Sequence, residues 1–68
     1  MVDVKALRDR IDKSGVTMVF VAEQTGILRE TLYNRFNEEG EFKASEITAL
    51  TKVLKLSQQE RNAIFFAE

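Results

Sequence analysis

TMVFVAEQTGILRETLYNRFN, residues Thr17 to Asn37, reads as two short helices joined by a tight turn at Thr25-Gly26-Ile27. Gly26 is the natural end of the first helix, because a left-handed backbone costs glycine almost nothing. Ala22, four residues earlier, is small enough for the second helix to cross close over the first. Val21, Ile27 and Leu32 supply apolar contacts to lock the pair. Beyond the turn, Arg29, Glu30, Tyr33, Asn34 and Asn37 recur at helical spacing on one face, and Leu32 and Phe36 on another.

A helix that is apolar behind and rich in hydrogen-bonding groups in front suits insertion into a DNA major groove. The stretch resembles the helix-turn-helix of the lambda-repressor-like (XRE) family, and small phage Cro-type and immunity repressors match it in size. The resemblance is carried by Val21-Ala22, Gly26-Ile27, Thr31-Leu32 and Phe36-Asn37. It extends through EITALTKVLKLS, from Glu46 to Ser57, which is similar to the fourth helix of that family and the start of its fifth. It implies an all-α, five-helix DNA-binding domain. Two positions depart from the family pattern: Leu28 stands where a serine N-cap is usual, and Arg35 where an aliphatic residue is usual.

At 68 residues the chain is read as one domain, near the lower limit for a fold supported by its own core. Without cysteine it has no disulfide, and without histidine as well it lacks the usual zinc ligands, so no metal or cofactor is expected. The lack of cysteine fits a reducing cytoplasm. Charges begin at Asp3 and Lys5, which does not suggest a signal peptide. The apolar runs Met18 to Ala22 and Ala63 to Ala67 are too short to span a bilayer. The net charge is -1, and its distribution is uneven. Residues 38–47 carry one basic and four acidic groups (Glu38, Glu39, Glu41, Glu46), whereas residues 1–16 and 48–68 each sum to +1. Phosphate attraction fades within roughly 10 Å, so local sign outweighs the total. The acidic stretch lowers the expected affinity for DNA without excluding it.

In chain order, Asp3 caps a first helix over about 4–14, with Val4, Leu7 and Ile11 as its apolar stripe and Gly15 as its stop. Lys5 with Asp9, Arg8 with Asp12, and Asp9 with Lys13 are opposite-charge pairs on its outer side. Thr17 caps the second helix despite the β-prone run Val16 to Val21, in which one of Val19 and Phe20 is surplus to a single buried face. Residues 37–41 form the main loop, with Gly40 at the turn and Phe42 anchoring the loop to the core. A fourth helix is expected from about Ser45 to Leu54, with Ile47, Leu50, Val53 and Leu54 inward. Ser57 and Glu60 form a capping box for a last helix over about 58–67. Ile64, Phe65 and Phe66 cannot all face one core; they serve either a dimer seam, as in similar small repressors, or a small core.

Enzyme chemistry finds no support: there is no histidine, no cysteine, no glycine-rich phosphate loop and no serine beside a base. For base reading the candidates are Arg29 on guanine O6 and N7, Asn34 on adenine N6 and N7, Glu30 on a cytosine amino group, and Tyr33 on a thymine methyl or a phosphate. Asn37, and Arg35 on the side of the helix, are candidate phosphate contacts. The family resemblance adds Thr17 and Met18, at a helix start that attracts anions or is a plain cap, and Lys43 near the dyad. One such module buries too little surface for high specificity, so a homodimer on a near-palindromic double-stranded operator is expected. By resemblance, occupancy would block polymerase. Two other readings stay open: a protein-binding module that grips a partner repressor through the acidic loop and the Phe65-Phe66 surface, and a monomeric packing domain.

Overall fold

Local start signals mark four of the five helices. The computed structural model describes residues 2–67 and contains α1 (Val4–Ser14), α2 (Met18–Thr25), α3 (Arg29–Phe36), α4 (Ala44–Val53) and α5 (Gln58–Phe65). Asp3 accepts from the Ala6 N–H at 3.0 Å and Thr17 Oγ1 from the Phe20 N–H at 3.1 Å. At α5, Ser57 Oγ accepts from the Glu60 N–H while the Glu60 carboxylate accepts from the Ser57 N–H, both at 3.0 Å. At α4 the Glu46 carboxylate accepts from the Lys43 N–H at 2.9 Å. Each such bond satisfies a donor that the helix leaves orphaned. Gly26 ends α2 at φ 76°, and its N–H returns to the Ala22 carbonyl at 3.0 Å.

The apolar stripes then converge. α2 packs on both α3 and α4, and α1 packs on α5, giving a body 27 × 24 × 20 Å. Leu7, Val21, Leu32 and Leu50, one from each of four helices, are completely buried at its centre. Ile27, in the turn, and Leu54 and Leu56 fill in around them. The β-prone run of α2 is helical because Val21 is needed in this core, with Met18 and Ala22 packed beside it. Burial of an apolar side chain, at about 1.5–3 kcal/mol, outweighs the few tenths that β-branching costs a helix.

Three expectations require correction. Ile64 and Phe65 are core residues, 5 % and 2 % exposed, not seam residues. The Ile64 carbonyl accepts from the Asp3 N–H at 2.6 Å, and Phe65 meets Phe42 edge-on with ring centroids 5.6 Å apart. Phe42 thus anchors its loop as expected, and Phe65 is what it anchors to. Only Phe66, at the end of α5 with the Arg61 guanidinium 6.0 Å from its ring centre, stays exposed. Second, both Val19 and Phe20 are exposed, not one of them. Third, of the three ion pairs expected along α1, Lys5–Asp9 forms at 2.9 Å, while Arg8 lies over the Phe36 ring instead, 5.6 Å from its centre.

Candidate nucleic-acid interface

α3 has a closed back and an open front. Leu32 and Phe36 are buried behind it, 0 % and 7 % exposed, fixing the rotation of the helix. Arg29, Glu30 and Asn37 are therefore exposed, Tyr33 is 43 % exposed and Asn34 is half-buried at the edge. The ion pairs among the described residues are Lys5–Asp9, Arg10–Glu60 and Arg35–Glu46, so neither Arg29 nor Glu30 is used in one. Among the described residues, the side chains of Tyr33, Asn34 and Asn37 make no internal hydrogen bond either, although that of their neighbour Arg35 does. A surface of unspent donors and acceptors on a rigid helix is what edge-on recognition of bases needs.

Lys43 joins this surface. It is exposed at the start of α4 and shares a cleft with Gly26, Leu28, Thr31, Ser45 and Glu46, so a cation stands beside the leading end of α3 with the Arg35-paired Glu46 next to it. Thr17 and Met18 lie elsewhere, in a second cleft with Arg8 and Asp12. The Thr17 hydroxyl is occupied as the α2 cap, as the plain reading of that residue has it.

Arg35 does not belong to the interface. Its side chain is 15 % exposed and turned under the α3–α4 loop, where one terminal nitrogen donates to the Glu39 carbonyl at 3.2 Å and Nε lies 3.5 Å from Glu46 Oε1. Reaching a phosphate would strip the 12 % exposed Glu46 carboxylate of its counter-charge. Of the four acids in residues 38–47, Arg35 thus neutralises Glu46, while Glu38, Glu39 and Glu41 take part in none of the ion pairs among the described residues. Gly40 makes room for this: a Cβ there would stand 2.6 Å from the Arg35 guanidinium.

Sequence reasoning missed Arg10. From α1 its Nε donates to Glu60 Oε2 at 3.0 Å, and a terminal nitrogen donates to the Leu54 carbonyl at 3.1 Å. It also bonds the Ser14 hydroxyl. Glu60 is held below its ordinary carboxylate range, first by the Ser57 backbone N–H and then by Arg10. Partners 44 and 50 residues away leave no local signal.

Among the described residues, no group of histidine, cysteine or carboxylate side chains is arranged to hold a metal, and no helix is long and apolar enough to cross a membrane. Comparison with protein families, characterised proteins and solved structures found no match.

Proposed function

We propose that this chain is a sequence-specific binder of double-stranded DNA that inserts α3 into the major groove, in the manner of the lambda-repressor-like proteins its sequence resembles. The observation that carries the proposal is the front of α3, where Arg29, Glu30, Tyr33 and Asn34 sit on a helix locked from behind and have no internal partners among the described residues. Arg29 pairs with guanine, Asn34 with adenine and Glu30 with a cytosine amino group, while Lys43 and Asn37 meet phosphates. Two copies complete the binding unit. On a near-palindromic site the two α3 helices lie about one turn of DNA, roughly 34 Å, apart. Occupancy of an operator inside the cell then blocks polymerase. Neither catalysis nor a cofactor is involved.

Selection of bound duplexes from a random pool by the purified protein tests this directly. A near-palindromic site should emerge, with affinity that falls steeply with salt and a log–log slope reduced by about one in Lys43→Ala. A protein that enriches no duplex at low ionic strength does not have this function.

One observation favours a rival reading, in which the same face grips a partner protein such as a repressor. Four of the five exposed large hydrophobic side chains, Val19, Phe20, Leu28 and Tyr33, lie on the α2–α3 pair. That reading requires a complex nearly insensitive to salt and abolished by Phe20→Ala.

A further inference from the structure

Leu28 is 74 % exposed, the most exposed of the large hydrophobic side chains, so burial does not explain it. Capping does not explain it either. The residues that begin α1, α2 and α5 each accept a bond from an N–H of the first turn, and at α4 Glu46 accepts from the backbone of Lys43. Leu28 stands at the N-cap of α3, and its side chain can accept no such bond. A serine or aspartate would serve the helix better, and any polar residue would serve the solvent better. A leucine unfavourable on both counts sits at the leading end of the helix, directly before Arg29, on the wall of the cleft that holds Lys43.

Leu28 directly precedes Arg29, and both are exposed at the leading end of α3. On the major-groove edge of a base pair the C5-methyl of thymine is the apolar feature, and guanine offers O6 and N7 to a forked guanidinium. An isobutyl group and a guanidinium on consecutive residues of one helix end match those two features on neighbouring base pairs. Resting on the DNA-binding reading above, we infer that Leu28 is a specificity-determining residue that reads a thymine methyl next to the guanine read by Arg29. The half-site therefore contains thymine adjacent to guanine.

The test uses the full chain and the duplex it enriches. Each thymine of the half-site is replaced in turn by 2′-deoxyuridine, which lacks only the methyl. Replacement at one position, beside a guanine, should weaken binding about fourfold, the effect expected of one buried methyl group. Leu28→Ala should abolish that difference while retaining the loss caused by 7-deazaguanine at the neighbouring position. Leu28→Ser, which restores a cap, should give the same result and so separates methyl reading from helix stability. If the duplex binds but no deoxyuridine position discriminates, or Leu28→Ala still discriminates, the inference is overturned while DNA binding stands. If no duplex is enriched, both fall. A salt-insensitive protein complex lost in Leu28→Ala assigns the side chain to the rival partner and overturns it as well.

Discussion

Arg10 and Arg29 are the same side chain in two settings. Arg10 directs its guanidinium to Glu60, to the Leu54 carbonyl and to Ser14, stitching α1 to α5 and to the end of α4. Arg29, at the start of α3, is exposed and takes part in none of the ion pairs among the described residues. The contrast extends to their surroundings. The α1–α5 side is joined by polar contacts, among them the Asp3 N–H donating to the Ile64 carbonyl. The α2–α3 side buries Val21, Ile27 and Leu32 and leaves its polar front unused. One half behaves as scaffold and the other as a presenting face. Orphaned polar groups are costly only when they are also dehydrated, so the presenting face can wait in water at little cost to the fold.

The largest effect should come from breaking the scaffold. Phe65→Ala empties a 2 % exposed site and should cost about 3–5 kcal/mol, much of the stability of so small a domain. Phe66→Ala, one residue on and 55 % exposed, should stay within about 0.5 kcal/mol. Urea unfolding followed by circular dichroism distinguishes them, and equal losses would refute the orientation of α5. Next, Arg29→Ala should weaken operator binding by about 1–3 kcal/mol with no change in unfolding midpoint. Arg10→Ala should do the reverse, losing about 1–2 kcal/mol of stability through its carbonyl bond and its packed stem, with operator affinity intact once folded. A loss of both properties in either variant would erase the division between the halves. Leu28→Ser should raise stability by about 0.5–1 kcal/mol, visible as a higher urea midpoint, because α3 gains the cap it lacks.

The smallest effect is a pH dependence of the scaffold side. Folding depresses the Glu60 carboxyl, so its contribution is complete above its ordinary value of 4.5 and is lost as pH falls below that through the folded value. Glu60→Gln should therefore flatten the acid limb of the stability curve below pH 4.5 and lower stability slightly at neutral pH. An unchanged acid limb would remove Glu60 from the account.

What was legible in the sequence was whatever acts over one turn of chain. Asp3, Thr17 and the Ser57/Glu60 box mark helix starts because a cap and its N–H lie three residues apart, and Gly15 and Gly26 mark ends because only the local backbone is involved. The front of α3 was legible for the same reason, since helical spacing alone separates Arg29 and Tyr33 from Leu32 and Phe36. Rotation of a helix about its own axis was not local. Whether Phe65 or Phe66 faced inward depended on Phe42, more than twenty residues earlier and across a loop. The fate of Arg35 likewise depended on Glu46, which no spacing rule connects to it.

Arg35, half-buried beside Gly40, has a consequence for how this chain can vary. Residue 40 sits at φ 85° with its missing methyl 2.6 Å from the guanidinium of residue 35. A side chain at 40 therefore requires the guanidinium of residue 35 to move aside, away from Glu46. A relative with a side chain at 40 should carry a shorter, uncharged one at 35 and a neutral residue at 46, all three changing as a block.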